Sequence, residues 1–144
     1  MQLYFASGAS GGRSSAVEDR SPTVAEIRLY REANPLFEQL SRAPAAPIAH
    51  YLIDTLRFFV DIDPGPVFRL VANAIRAASV TGYASESLGV ELVVKLVKRY
   101  LADHREIFAG EQARRDLLDC LDAFVRAGWP AARALTYRIA DIWR

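Results

Sequence analysis

Residues 92–101 of the chain read LVVKLVKRYL, and this stretch decides the class of fold. Its apolar positions are Leu92, Val93, Leu96, Val97, Tyr100 and Leu101. They recur three and four residues apart, so a helix would place them on one face. Glu91 stands four residues before Lys95, a spacing at which opposite charges stabilise a helix. The pattern therefore predicts an amphipathic helix, which Gly110 would end.

The same periodicity continues upstream as far as Ser21 and predicts three further helices. Thr23 and Glu26 have the spacing of a capping box, with Pro22 as the first helical residue and a break at Asn34-Pro35. A second helix is expected from Ala45 to Ile62. Its predicted inward residues are Ile48, Leu52, Thr55, Leu56 and Phe59.

The third helix is predicted to begin with Asp63 as N-cap and Pro64 just inside. Its apolar face comprises Val67, Val71, Ala74, Ile75 and Ala78. We expect Thr81-Gly82 to end it, since glycine readily adopts the left-handed conformation of a helix C-terminus.

Two more helices are expected after Gly110. The fifth runs from about Glu111 to Ala127, and its predicted inward residues are Leu117, Leu118, Leu121, Phe124 and Val125. Its exposed side would pair Arg115 with Asp119, and Asp122 with Arg126. Gly128 and Pro130 then separate it from a sixth helix, which would bury Leu135, Ile139, Ile142 and Trp143.

Length and composition indicate one ordinary globular domain. The chain has 144 residues, 51% of them hydrophobic and 24% charged, and about 100–200 residues make one domain. We expect residues 1–20 to be a flexible or tag-like tail and residues 21–144 to be a single α-helical domain. The formal net charge of +1 gives no overall attraction to nucleic acid or to anionic lipid.

Short connectors between the predicted helices make neighbours in the chain antiparallel. Two all-α architectures fit: a short stack of α-hairpins, HEAT-like, is the first choice, and a closed helical bundle is the alternative. A shift of fifty residues lays residues 67–77 on residues 117–127 with matching apolar positions, which favours the repeat.

Two histidines are the candidates for chemistry. His50 and Asp54 have the spacing of a general base and its orienting carboxylate, yet Arg57 and Asp61 extend the same face and favour a solvated polar stripe. His104 lies near acids at the end of the fourth helix, where it can interact with the helix dipole. One histidine with two acids is a poor set of ligands for zinc. The enzyme or metal-binding function therefore remains the alternative hypothesis.

The sequence predicts no catalytic residue, metal ligand or cofactor site. Cys120, the single cysteine, has acidic and apolar neighbours and is expected to be a buried, unreactive thiol. The glycines between Gly8 and Gly12 lack the ending of a phosphate-binding loop.

The C-terminal helix is rich in arginine and aromatic residues, which makes it the predicted interaction surface. The interaction candidates are Tyr83, Trp129, Arg133, Tyr137, Arg138 and Trp143. Nucleic-acid binding through the arginines is the second alternative, but Arg99–Arg144 contains nearly as many acids as arginines, so nucleic acid is not the expected partner.

Several short motifs between residues 63 and 144 resemble the α-helical, HEAT/armadillo-like C-terminal end of large bacterial multidomain proteins. They are Asp63-Pro64, Val67-Phe68-Arg69-Leu70, Gly82-Tyr83 with Glu86-Ser87, the run from Tyr100 to Arg105, the run from Ala127 to Arg133, and the run from Leu135 to Arg138. The resemblance implies a helical scaffold part, of a kind that often follows an ATPase or other effector module, without the enzymatic part.

The expected function is therefore that of a non-catalytic, intracellular α-helical scaffold or protein-interaction module. Its partner would be another protein or a neighbouring domain. The first residues lack the features of a secretory signal, and no apolar run approaches the about 18 residues of a membrane span, so we expect a cytoplasmic protein.

Overall fold

The computed structural model of the chain describes residues 21–79, 87–126 and 130–142, and it confirms the all-α class. These ranges contain six α-helices and no strand. They are α1 (Val24–Leu40), α2 (Ala46–Leu56), α3 (Pro64–Ser79), α4 (Ser87–Asp103), α5 (Glu111–Arg126) and α6 (Pro130–Ile142). Two 3₁₀ segments, Arg57–Phe59 and Arg105–Ala109, follow α2 and α4. The predicted tail 1–20 and the predicted stops at Thr81-Gly82 and Gly128 lie outside the described residues.

The first helix begins with the predicted capping box. The amide of Glu26 donates to the Thr23 hydroxyl at 3.2 Å, and the amide of Thr23 donates to the Glu26 carboxylate at 2.7 Å. Pro22 precedes this cap, so its prediction as the first helical residue is wrong.

The predicted break at Asn34-Pro35 is also wrong, because α1 continues through Pro35 to Leu40. A proline inside a helix costs about 3 kcal/mol. Burial on both sides of it offsets this cost: the rings of Tyr30 and Phe37 lie 5.6 and 5.8 Å from the ring of Phe59, measured between centroids. Pro35 itself is exposed.

The second helix ends at Leu56, earlier than predicted, and its buried face is rotated from the predicted one. Leu52, Leu56 and Phe59 are buried as expected, whereas Ile48 and Thr55 are exposed. Ala49, Ile53 and Val60 occupy the core in their place. The Thr55 hydroxyl donates to the carbonyl of Tyr51 at 2.9 Å, so its polar group is satisfied locally at the surface.

The third helix is the centre of the core. It begins at Pro64, directly after Asp63 as predicted, and all five predicted inward residues are buried. Phe68, Leu70 and Ala72 are buried as well, because α3 is in contact with α1, α2 and α5.

The fourth helix has the predicted buried face, but it ends at Asp103 and not at Gly110. The 3₁₀ segment after it turns Phe108 into the core, where its ring lies 5.2 Å from that of Phe68. The predicted pair of Glu91 and Lys95 is present at 3.1 Å.

The fifth helix buries Leu117, Leu121 and Phe124 as predicted, whereas Leu118 is exposed. Asp116 is buried instead, and Cys120 is buried as expected, so the inward face is centred one position earlier than the predicted apolar stripe. In α6, Leu135 and Ile139 are buried as expected. Trp143 and the side chain of Ile142 lie outside the described residues.

Helices at alternate positions in the chain are in contact. These contacts join α1 to α3, α3 to α5, α2 to α4 and α4 to α6. The helices α3 and α5 run in the same direction, because Phe68 touches Phe108 just before α5, and Arg76, further along α3, bonds Asp116 and Asp119 further along α5.

Over residues 21–79, 87–126 and 130–142, the helices fall short, in length or in apolar character, of what crossing a bilayer requires.

Candidate functional site

A polar cluster joins the carboxyl ends of α2 and α4. We call Asp61, Arg99 and His104 the turn cluster. One carboxylate oxygen of Asp61 lies 2.7 Å from Nε2 of His104, and the other accepts from the Arg99 guanidinium at 2.8 Å. Arg99 also donates to the carbonyl of Arg57 at 2.9 Å. The cluster therefore holds the turn before α3 against α4.

Two tyrosines support the same turn from the protein interior. Tyr100 donates to the carbonyl of Pro64 at 2.8 Å, and Tyr30 donates to the Asp63 carboxylate at 3.1 Å. Burial raises the pKa of both phenols, and the carboxylate of Asp63 raises that of Tyr30 further. Both therefore remain hydrogen-bond donors at any ordinary pH.

The turn cluster contains one of the two candidate histidines, His104, and an acidic side chain lies near each nitrogen of its ring. Nε2 of His104 faces Asp61, and Nδ1 lies 3.7 Å from Glu106. In the described part of the chain, no three side chains from His, Cys, Asp and Glu converge as a metal site would require. His104 thus acts as a tether between α4 and the turn.

The other candidate pair, His50 and Asp54, is not brought together. Asp54 pairs with Arg57 at 2.9 Å, and the ring of His50 packs edge-on against that of Tyr51 at 5.4 Å. The predicted solvated stripe holds for Asp54 and Arg57, but Asp61 leaves it and joins the turn cluster.

Asp61→Asn should lower the free energy of unfolding by about 1–2 kcal/mol, because Asp61 accepts two hydrogen bonds from cationic or ring N–H groups. Urea denaturation at neutral pH measures this loss. Asp54→Asn is the matched control, and its half-exposed pair with Arg57 should contribute less than about 1 kcal/mol. Equal losses in the two variants would show that the turn cluster has no special role in stability.

A second polar cluster joins α3 to α5, and we call it the Arg76 network. The Arg76 guanidinium donates to Asp116 at 2.5 Å, to Asp119 at 2.8 and 3.0 Å, and to the side-chain oxygen of Asn73 at 3.1 Å. Asp116 is 1% exposed and also accepts from Gln112 at 3.1 Å. The predicted pair of Arg115 and Asp119 is wrong, since Arg115 pairs with Glu111 and Asp119 with Arg76. The predicted pair of Asp122 and Arg126 is present.

The Arg76 network borders an open groove of about 410 Å³, which is lined by Ser41, Arg42, Asn73, Arg76 and Ala77. Burial alone would lower the pKa of Arg76, but its hydrogen bonds to Asp116 and Asp119 outweigh that effect and raise it. The charge of Arg76 is thus already matched by two acids.

Cys120 lies next to the Arg76 network and is 1% exposed. Burial raises the pKa of its thiol from 9.0 to about 12. The predicted buried position is confirmed.

Cys120 should therefore resist iodoacetamide in the folded protein at pH 8 and react once the chain is unfolded in urea. Because its pKa is higher in the folded state, this group should also lower the stability as the pH rises from about 9 towards 12. Mass spectrometry measures the labelled fraction with time. Rapid labelling without denaturant would contradict the burial of the thiol.

The structure describes three of the six predicted interaction candidates. Arg133, Tyr137 and Arg138 are exposed on α6, and Tyr137 is 71% exposed. The other three, Tyr83, Trp129 and Trp143, lie outside the described residues.

Sequence reasoning missed a second aromatic surface, which is on α2. We call Ile48 and Tyr51 of α2, together with Phe58 of the 3₁₀ segment that follows it, the outer face of α2; Tyr51 and Phe58 are 70% and 69% exposed. Ile48 and Tyr51 are three residues apart and so lie on one side of the helix. The guanidinium of Arg57 stacks over the Phe58 ring, 4.6 Å from its centroid. The signal was present, because Ala49, Leu52, Ile53 and Leu56 are apolar at helical spacing and define a different inward side.

Comparison with known proteins adds no relative. A scan against protein-family models finds no match, and neither the curated proteins nor the solved structures searched contain a significant one.

Proposed function

We propose that this chain is a non-catalytic α-helical protein-interaction module, in which a layer of exposed helices binds another protein or a neighbouring domain. The observation that carries the proposal is the outer face of α2, where two aromatic side chains are about 70% exposed, Tyr51 on the helix and Phe58 in the 3₁₀ segment directly after it. Aromatic residues supply most of the binding energy at protein interfaces.

The contacts between alternate helices support a short stack of hairpins as the architecture. In such a stack, the second helices of successive hairpins form one layer, here α2, α4 and α6, and each is in contact with the next. The parallel packing of α3 on α5 fits the same arrangement, and these are the two helices that the fifty-residue repeat relates. The layer of α2, α4 and α6 would offer one continuous surface.

The polar side chains support a binding role over a catalytic one. His104 and Asp61 bond each other and Arg99, while Asp54 is held by Arg57. A general base needs a free nitrogen facing substrate. The enzyme or metal-binding alternative would have to use His50 without Asp54, or His104 through Nδ1, which lies 3.7 Å from Glu106.

The cellular setting is part of the same proposal. The resemblance of residues 63–144 to the helical end of bacterial multidomain proteins favours a cytoplasmic scaffold role.

Site-specific crosslinking tests the proposal. A photo-crosslinking amino acid in place of Tyr51 or of Phe58 should capture the same protein from a lysate of the source organism, and the capture at Tyr51 should fall when Phe58 is changed to serine. A crosslinker at Leu29 is the matched control, since Leu29 is a 56% exposed apolar residue on α1.

Equal capture at all three positions would refute the interaction role. So would the absence of capture at Tyr51 and Phe58, if the chain is monomeric by size-exclusion chromatography. A metal-dependent thermal shift that His104→Ala abolishes would favour the alternative.

A further inference from the structure

Three exposed cations lie on α4 and α6, two helices that are in contact with each other. Lys98 is exposed on α4, and the neighbouring Arg99 reaches towards α2 to bond Asp61. Because successive residues of a helix are about 100° apart, Lys98 lies on the edge of the exposed face that is turned away from α2. Besides α2, α4 is in contact with α6, which exposes Arg133, Tyr137 and Arg138. We call these four side chains the α4–α6 face.

The cations of this face differ from their neighbours in having no acidic partner within the described ranges. Lys95 is paired with Glu91, and Arg99 is paired with Asp61 and lies near Asp103. From Pro130 to Ala140, α6 contains two arginines and no acid, and Asp141 follows in the last turn. The α4–α6 face therefore combines uncompensated positive charge with the exposed ring of Tyr137.

We infer that the α4–α6 face binds an acidic segment of a partner protein, which places carboxylates against Lys98 and Arg133 and an apolar side chain against Tyr137. The inference rests on the proposed interaction role and adds the chemistry of the partner. A guanidinium binds a carboxylate through two parallel hydrogen bonds, and a ring next to it adds apolar contact.

The charges around the face favour a peptide over a nucleic acid. A nucleic acid needs an uninterrupted basic track for its phosphates. On the adjoining surfaces of α2 and α4, the acids Asp54, Asp61, Glu91 and Asp103 interrupt such a track. Separate carboxylates with an apolar residue between them match this pattern of charge better.

Fluorescence anisotropy with three labelled probes tests the inference. The first probe is a peptide composed of Asp, Glu, Leu and Phe, the second is its counterpart with Lys at every acid, and the third is a single-stranded oligonucleotide. The variant carries Lys98→Glu and Arg133→Glu. The control variant carries Arg28→Glu and Arg31→Glu on α1, an identical change in net charge at two exposed arginines. Circular dichroism establishes that each variant is folded.

We expect the acidic peptide to bind the wild-type chain and the control, and to bind the Lys98/Arg133 variant at least about tenfold more weakly. Equal weakening in the control, or binding of the oligonucleotide without the acidic peptide, would overturn the inference. So would the absence of binding by any probe. The Lys peptide could instead bind, and lose its binding when Tyr51 and Phe58 are changed to serine. That result would overturn the acidic partner but retain the interaction role, which crosslinking at Tyr51 and Phe58 tests separately.

Discussion

Arg76→Met should lower the free energy of unfolding by about 2–4 kcal/mol, because it leaves the carboxylate of Asp116 buried without its cation. Asp116 is 1% exposed, and Gln112 would be its remaining hydrogen-bond donor among the described residues. Methionine keeps much of the apolar stem of arginine, so the loss reports the charge pair and not a cavity. Urea denaturation at neutral pH measures the change.

Arg114→Met is the control for this substitution, since Arg114 is an exposed arginine of α5 without an ion pair in the described part of the chain. Its effect should stay within about 0.5 kcal/mol. The double variant Arg76→Met/Asp116→Leu should recover much of the lost stability, because it removes the buried charge together with its partner. A loss at Arg76 no greater than the loss at Arg114 would show that the Arg76 network does not stabilise the contact of α3 with α5.

Phe68→Ala should cost about 3–5 kcal/mol and is expected to have the largest effect of any single substitution considered for this chain. The side chain is 0% exposed at the centre of the core. Its ring lies 4.9 Å from that of Tyr100 and 5.2 Å from that of Phe108, both in edge-to-face geometry. Removing it leaves a cavity and also releases the 3₁₀ segment that carries Phe108.

Phe58→Ala is the matched control, because the same atoms are removed from a side chain that is 69% exposed. It should change the stability by less than about 1 kcal/mol. Thermal unfolding followed by circular dichroism measures both variants. If the two melting temperatures fell equally, the assignment of Phe68 to the core and Phe58 to the surface would be wrong.

The periodic core of α3 and α4 could be predicted closely from the sequence. Val67, Val71 and Ile75 are buried as expected, and so are Val93 and Leu96, because the spacing of apolar residues is a property of the helix itself. The capping box of Thr23 and Glu26 was predictable for the same reason, since both residues lie within one turn.

The side to which a helix turns its apolar stripe was less predictable where several apolar residues compete. In α2, Ile53 displaces Thr55 from the core, and in α5, Asp116 is buried whereas Leu118 is exposed. The buried side of a helix depends on which other helices pack against it, and the sequence of one helix does not specify these neighbours. The continuation of α1 through Pro35 has the same origin, because it depends on the ring of Phe59.

The polar clusters were beyond sequence reasoning. Asp61 meets His104 across a separation of 43 residues, and Arg76 meets Asp116 across 40. The sequence suggested a solvated stripe for Asp61 and a local partner at helical spacing, Arg115, for Asp119. Any of these charges could pair with several others, and only the packing of α2 on α4 and of α3 on α5 selects one.

The sequence by itself determined that this chain forms amphipathic helices, and largely where they begin, because periodicity and capping involve residues within a few positions of each other. The tertiary structure decided which faces are buried, which charges are paired, and which aromatic side chains remain exposed for a partner. These outcomes depend on the free energy of contacts between segments far apart in the chain, and no local pattern contains that information.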